Sequence, residues 1–233
     1  MRLWLQTFFV ALLLLPPSPR ADYLSDSEID FFTAPFSKNL TQQTVEQSFQ
    51  DSRGAMWFVT KEGLNKYTGL KLDNFRHSPK DDQSLSSNNV TRIVEDSSGS
   101  IWVATQGAGL NKFNPILRTF SRLYSDPNNR NSPFSNSIYS LSASESEDIW
   151  LGYANSFSAF NPASEKFRHF TPDSLGIPDF GVVYDFAHIK NGTVYIATQL
   201  LGPLKLEPNR SSISRVTTPK EQSNYSNNYA VTQ

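Results

Sequence analysis

A large aromatic residue recurs along the chain at a nearly constant interval. Trp57, Trp102 and Trp150 are separated by 45 and 48 residues, and Tyr195 follows after another 45. The flanking residues recur as well. An Asp-x-x-Gly segment precedes the first two tryptophans, and Gly-Leu-Asn-Lys with a following aromatic residue comes after them, whereas the last two copies have drifted. Recurrence of several residue types at fixed offsets predicts an array of one repeated structural unit.

Each unit divides into short strands separated by turns. In the second copy, residues 89–95, 100–105, 110–114 and 120–124 alternate in polarity or are rich in β-branched and aromatic residues, as strands require. The segment 96–99 suits a tight turn, with Asp at its first position and Gly at its left-handed position. Four antiparallel strands in about 45 residues are typical of one blade of a β-propeller.

The sequence therefore predicts an all-β fold, a β-propeller of four four-stranded blades plus the start of a fifth, with an incomplete ring. The 14 prolines and 11 glycines agree with many short strands and turns rather than long helices. The four predicted blades, and the residue at which the fifth begins, are 40–83, 84–134, 135–178, 179–224 and 226.

The first 21 residues have the layout of a secretory signal peptide. A short cationic start precedes residues 3–15, which are almost wholly apolar, and Ala21 offers a small residue for cleavage. This 13-residue apolar run is shorter than the roughly 20 residues of a membrane-spanning helix, although an uncleaved N-terminal anchor is the alternative. The partial propeller domain, residues 22–233, is therefore expected outside the cytoplasm, in the periplasm.

Both ends of the propeller domain carry further strand patterns. Residues 28–32 are predicted to form a strand that completes the last blade and closes the ring. Residues 226–233 resemble the first strand of another unit. Four blades with two extra strands would leave unpaired strand edges, so the sequence predicts the N-terminal portion of a longer protein.

Composition and missing motifs exclude several function classes. The net charge of −1 lacks the basic excess of a nucleic-acid-binding protein. The absence of cysteine rules out a disulfide scaffold, a thiolate zinc site and a cysteine nucleophile. His77, His169 and His188 occupy unrelated repeat positions, and the chain contains no P-loop or nucleophile elbow. No catalytic residue, metal or cofactor is therefore predicted.

The candidate ligand site lies on loops. In a propeller, the turns between second and third strands gather with the inter-blade loops at one end of the central channel, and loops on a rigid scaffold often carry function. The polar side chains of these loops suit hydrogen bonding to a ligand, although they could equally be solvated loops without a ligand. The predicted contacts are Lys61, Glu62, Asn88, Asn89, Gln106, Asn136, Tyr153, Asn155 and Gln199.

The repeated aromatic residues have two possible roles. Trp57, Trp102, Trp150 and Tyr195 could stack on a sugar, or they could fill the space between neighbouring blades. One large aromatic residue per blade usually packs against the next sheet, so we expect these four to form the structural core of the blades.

Residues 84–115 resemble the repeat of the two-component regulator propeller family. They read Ser-Leu-Ser-Ser-Asn-Asn-Val-Thr-Arg-Ile-Val-Glu-Asp-Ser-Ser-Gly-Ser-Ile-Trp-Val-Ala-Thr-Gln-Gly-Ala-Gly-Leu-Asn-Lys-Phe-Asn-Pro. The resemblance implies an extracytoplasmic sensor region of a bacterial transmembrane signalling protein, whose output domain is a histidine kinase or a diguanylate cyclase. Such a module would bind a small solute, such as a saccharide, and pass a change of geometry to the output domain.

The resemblance also implies how the module would be anchored and assembled. A full-length protein of this kind would be anchored in the inner membrane, through C-terminal parts or an uncleaved signal, and could form a homodimer. Two other functions are compatible with a propeller: a protein-interaction scaffold, and a lyase of the streptogramin-inactivating type. The lyase would require a histidine and a carboxylate converging on the channel mouth.

Overall fold

The computed structural model describes residues 33–144, 147–208, 212–217 and 228–230, the last by backbone alone. The predicted signal peptide, residues 1–21, and the predicted closing strand, residues 28–32, lie outside the described residues. In the described part of the chain, no helix is long and apolar enough to cross a membrane.

Within the described residues, seventeen strands form four antiparallel sheets, and strands that follow one another in sequence are neighbours in each sheet. The helical elements are a 3₁₀ turn at Ser37–Asn39 and a four-residue helix α1, Pro172–Leu175. The strands are, in chain order, β1 (Gln47–Gln50), β2 (Met56–Thr60), β3 (Gly63–Tyr67), β4 (Leu72–Phe75), β5 (Val90–Glu95), β6 (Ile101–Thr105), β7 (Leu110–Asn114), β8 (Thr119–Leu123), β9 (Ser140–Ala143), β10 (Ile149–Gly152), β11 (Phe157–Asn161), β12 (Lys166–Phe170), β13 (Val183–His188), β14 (Val194–Thr198), β15 (Gly202–Leu206), β16 (Ser212–Arg215) and β17 (Asn228–Ala230).

The all-β propeller prediction is confirmed: strands β1–β4, β5–β8, β9–β12 and β13–β16 are four blades. Their boundaries in the second blade fall within one residue of those expected from the repeat. The last segment differs from the expectation. Residues 228–230, where the first strand of a fifth unit is predicted, pair antiparallel with β16 and so extend the fourth sheet instead of opening a new one.

The Asp-x-x-Gly segments form the turns between the first two strands of a blade. In the second blade, Asp96 Oδ1 accepts the backbone N–H groups of Ser98 and Ser100, each at 2.9 Å. Its other oxygen, Oδ2, accepts the indole N–H of Trp102 at 2.7 Å. Asp51 holds Trp57 in the same way, at 2.8 Å. One carboxylate therefore closes the turn and orients the tryptophan six residues later.

The asparagine of each Gly-Leu-Asn segment binds the third strand of its blade to the loop that precedes the first strand of the same blade. The buried Asn65 accepts the backbone N–H of Thr41 and donates to its hydroxyl, at 2.8 and 2.9 Å. Asn111 makes the same pair with Ser86, at 2.9 and 2.8 Å. Gly109 precedes it with φ +74°, and a Cβ there would collide with a backbone carbonyl of β8, so glycine is required.

The hydrophobic core lies in the seams between successive blades, one cluster to each seam. In the first seam, Trp57 packs against residues of the second blade, and its ring centroid lies 5.2 Å from that of Phe113. Trp102 crosses the second seam to Phe160 at 5.3 Å, and Trp150 crosses the third to Phe186 at 5.8 Å. All three tryptophans are buried. Each blade is therefore stabilised mainly by its neighbour.

Tyr195, expected to be the fourth member of this core, departs from the pattern. It is only partly buried, and Ala197 beside it on β14 is exposed. The opposite face of β14 carries the buried Val194 and Ile196, which belong to the third seam. Tyr195 thus lies on the face that would meet a following blade, and no such blade occurs among the described residues.

On its side away from the second blade, the first blade packs against Phe36 instead of against another blade. Phe36 lies ahead of β1, and its ring stacks on Tyr67 with centroids 4.1 Å apart and contacts Phe58 at 5.4 Å. Tyr67 occupies the repeat position of Phe113, which receives a tryptophan from the preceding blade. A phenylalanine from the loop therefore takes the place of a neighbouring blade's tryptophan.

The first prediction concerns the seams. Trp102→Ala should lower the free energy of unfolding by about 3–5 kcal/mol, because it removes a buried aromatic side chain and leaves a cavity between two blades. Tyr195→Ala should cost less than about 2 kcal/mol, because this side chain is only partly buried and no following blade packs against it among the described residues. Urea unfolding followed by circular dichroism measures both. Equal losses would contradict the assignment of the core to the three described seams.

The second prediction concerns acid. Burial alone would raise the pKa of Asp96, but hydrogen bonds from Ser98, Trp102 and backbone N–H groups hold it below its ordinary value. A lowered folded-state pKa means that the carboxylate stabilises the fold above its unfolded pKa of about 3.9, and that this contribution is lost as pH falls through the folded-state pKa.

Asp96→Asn cannot ionise, so its stability deficit relative to the native chain should be largest at neutral pH and shrink at acid pH. Thermal melts of both proteins over this range measure the difference. A deficit that is the same at neutral and acid pH would show that the charge of Asp96 does not contribute.

Candidate functional site

The two ends of the sheets differ in what they expose. We call the end that carries the turns between second and third strands, together with the inter-blade loops, the loop end. The opposite end carries the turns between first and second and between third and fourth strands, and we call it the turn end. All nine predicted ligand-contact residues belong to the loop end, because the antiparallel order of each sheet brings these segments together.

Asn88 and Asn136 are used to fold the inter-blade loops. The side-chain oxygen of Asn88 accepts the backbone N–H of His77 at 2.7 Å. That of Asn136 accepts the backbone N–H of Ser125 at 2.8 Å, with the same separation of 11 residues along the chain. The two asparagines are therefore equivalent repeat positions that pin the chain as it passes from one blade to the next.

Gln106 and Asn89 join neighbouring loops. Asn89 donates from Nδ2 to Gln106 Oε1 at 3.1 Å, and its carbonyl accepts the Gln106 backbone N–H at 3.0 Å. The same turn reaches the next blade, because Gly107 and Gly109 donate to the carbonyl of Asn136 at 3.1 and 2.8 Å. These contacts tie the second blade to the third.

The third blade repeats this connection with different residues. Asn155 donates from Nδ2 to Asp179 at 2.9 Å, and its Oδ1 accepts the backbone N–H of Phe180 at 2.9 Å. Tyr153 is fully buried, and its hydroxyl accepts the backbone N–H of Phe134 at 3.3 Å. Burial raises the pKa of Tyr153, so the hydroxyl stays protonated and serves packing rather than acid–base chemistry.

The remaining predicted residues expose their side chains. Lys61 forms an ion pair of 3.6 Å with Glu46, and Glu62 is the exposed tip of the same turn. Gln199 is exposed as well, although its Oε1 accepts the backbone N–H of Val182 at 3.2 Å. Of the nine residues, Lys61, Glu62, Gln106 and Gln199 are thus exposed to solvent, whereas the other five hold the loops in place.

Each of the three histidines forms its own hydrogen bonds, and no two of them share a partner. His77 Nδ1 lies 2.8 Å from the carbonyl of Leu85. His169 links the Ser158 hydroxyl, at 2.7 Å from Nδ1, to the Arg130 carbonyl, at 3.1 Å from Nε2. His188 Nε2 meets Ser142 across the third seam at 2.9 Å.

Burial lowers the pKa of His169, and its hydrogen bond to the Arg130 carbonyl opposes that shift. Burial also lowers the pKa of His188, and the charge of the Asp185 carboxylate opposes that shift. Both rings therefore favour the neutral form near neutral pH. Among the described residues, no group of three or more His, Asp or Glu side chains could hold a metal ion.

Two clefts open at the turn end of the first seam, a place that the sequence did not indicate. One has a volume of about 620 Å³ and the other of about 430 Å³, and both are open to solvent. None of the nine predicted residues lines either cleft. The larger cleft is lined by Arg53, Asp82, Gln83, Ser98–Ser100, Lys112–Ile116 and Thr119–Ser121.

The larger cleft mixes hydroxyl, amide and charged groups with two aromatic rings, Phe113 and Phe120. Both rings are almost fully buried, so the cleft offers a ligand mainly its hydroxyl, amide and charged groups. No sequence signal marked it, because its walls combine Arg53 of the first blade and residues 82–83 of the following inter-blade loop with turns and strands of the second blade.

Comparison with known proteins finds one family model that is similar to part of the chain. Residues 84–107 match the family model described as "Two component regulator propeller". No curated protein matches the chain in sequence.

Solved structures with the same fold include extracellular domains of bacterial signalling systems. The extracellular domain described as that of the hybrid two-component system BT3049 from B. thetaiotaomicron is 26% identical, with a TM-score of 0.66 over 74% of this chain and 24% of that one. That of the one-component system BT4673 from the same organism is 17% identical, with a TM-score of 0.62 over 74% and 25% of the two chains. The WD40 propeller of Doa1 shares the fold alone, at 11% identity and a TM-score of 0.52 over 72% and 52%.

This chain spans about a quarter of the length of the two bacterial ectodomains. The family match covers strands β5 and β6 of the second blade, including the Asp-x-x-Gly turn and Trp102, and it ends just before the Gly-Leu-Asn segment. Residues 84–107 are therefore similar to the repeat of the two-component regulator propeller family, and the chain has a β-propeller fold similar to that of the extracellular domain of a bacterial two-component system.

Proposed function

We propose that this propeller is the solute-sensing part of an extracytoplasmic signalling protein, located in the periplasm. The observation that carries the proposal is the 26% identity, over 74% of this chain, to the extracellular domain of a hybrid two-component system. On this proposal, solute binding changes the geometry of the blades, and a membrane-anchored kinase or cyclase domain elsewhere in the full protein responds. The propeller itself binds and does not catalyse.

The loop end supports this proposal with four exposed polar side chains on a rigid base. Gln106 and Gln199 project from turns whose backbone N–H groups donate to neighbouring loops. Lys61 and Glu62 project from the turn between β2 and β3, where the Lys61 backbone N–H donates to Gln42 Oε1. A rigid base lowers the entropy lost when a ligand is bound. We propose a hydroxylated solute such as a saccharide, since these side chains offer both donors and acceptors.

The third prediction is solute-dependent stabilisation. A saccharide that binds the folded chain and not the unfolded chain, at 100 times its Kd, should add about 2.7 kcal/mol to the free energy of unfolding. Differential scanning fluorimetry against a panel of mono- and oligosaccharides measures the shift of the melting temperature. A protein partner retained by the chain, with no shift from any solute, would favour an interaction scaffold and contradict the sensor proposal.

Two matched variants locate the binding site. Lys61→Ala with Glu62→Ala should abolish the shift if the solute binds at the loop end. Gln83→Ala with Ser121→Ala alters the larger cleft, which none of the nine predicted contacts lines, and should leave the shift intact. The reverse result would move the site to the cleft and contradict the loop-end assignment. Unchanged shifts in both variants would contradict both locations.

A further inference from the structure

Three large aliphatic side chains project into solvent from hairpin turns at the turn end. Leu70 is 99% exposed, Ile116 89% and Leu117 66%. Leu70 lies in the turn between β3 and β4, and the other two lie in the turn between β7 and β8. We call these three residues the aliphatic tips.

The tips belong to one patch, because an ion-pair cluster joins their two turns. Lys71, next to Leu70, and Arg118, next to Leu117, each place a nitrogen 2.8 Å from the same oxygen of Asp73. The Arg118 guanidinium also lies over the Phe75 ring, at 5.9 Å. The aliphatic tips are therefore bordered by two cations that share one carboxylate, which leaves the border with a positive charge.

The fold does not require aliphatic residues in these turns. The third blade builds the same hairpin, since Asn114 and Asn161 each accept backbone N–H groups of the turn. Arg118 and Glu165 both have a positive φ, of 58° and 55°, at the same position of the turn. Where the second blade has Ile116-Leu117-Arg118, the third has Ala163-Ser164-Glu165, which are small, polar and acidic.

We propose that the aliphatic tips dock this end of the propeller onto an anionic membrane surface. Aliphatic side chains at the tips of hairpins can enter the acyl boundary of a bilayer, while neighbouring lysine and arginine side chains stay at the level of the headgroups. The patch has both parts: the aliphatic tips are exposed to solvent, and the cations that follow them in each turn are held near the tips by Asp73.

A membrane fits the patch better than a protein partner. Anchors of protein interfaces are enriched in Trp, Tyr and Arg, whereas Leu is under-represented among them. The tips contain no aromatic residue, and the two cations beside them outnumber the one carboxylate that they share, which suits anionic headgroups. The inference is independent of the proposed solute sensing, since the tips lie at the opposite end of the sheets from the loop-end residues.

The test is co-sedimentation of the full chain with lipid vesicles. The native chain should bind vesicles of phosphatidylglycerol mixed with phosphatidylcholine more tightly than vesicles of phosphatidylcholine alone, and added salt should weaken the difference. Ile116→Ala with Leu117→Ser, which copies the turn of the third blade, should weaken binding about tenfold or more, because two inserted side chains are lost. Adding Leu70→Ser should weaken it further.

The matched control is Leu200→Ser. Leu200 is 63% exposed but lies at the loop end, so this variant should bind vesicles as the native chain does. The apolar residues 3–15 are identical in all variants and cannot cause a difference between them. Equal vesicle binding by the native chain and the Ile116/Leu117 variant would overturn the proposal. So would a variant that keeps vesicle binding but loses a protein partner.

Discussion

Aromatic packing across the seams between blades is the interaction on which the rest of the structure depends. A tryptophan from one blade packs against an aromatic ring of the next. In the first two blades, the indole N–H of this tryptophan donates to an aspartate carboxylate, which orients the ring. Because the buried face of each sheet is completed by its neighbour, a single blade has no core of its own. Among the described residues, Tyr195 faces no following blade and is partly exposed, whereas Phe36 covers the first blade where a preceding blade's tryptophan would pack.

Polar side chains complete the seams where the inner strands of adjacent blades approach without pairing. Gln47 exchanges two hydrogen bonds with the backbone of Ile93, at 2.9 and 3.1 Å. The hydroxyl of Thr91 donates to the carbonyl of Ile138 at 2.8 Å in the next seam. Backbone groups of an unpaired strand edge need partners, and these side chains provide them.

The same requirement explains the loop end. Asn88, Asn136 and Asn155 are polar and lie on loops, so by residue type they resemble ligand-binding residues. In the fold their amides satisfy backbone groups where the chain passes between blades. The turn end is less constrained. Its hairpins close with a carboxylate or an asparagine, and their outermost residues vary between copies without changing the turn. The residues at these turn tips can therefore change to contact another molecule without altering the fold.

The sequence by itself determined the fold class, the strand order and the strand boundaries of the second blade. Repeated turn residues, tryptophans and alternating strands are local signals, and each depends only on neighbours in the chain. Only the tertiary structure decided which of the predicted polar residues expose their side chains to solvent and which hold the loops together. It showed that Tyr153 is buried, that Gln106 bonds to Asn89, and that clefts and aliphatic tips lie at the turn end. Those properties arise where turns of different blades meet, and contacts between distant segments cannot be derived from the pattern of one repeat.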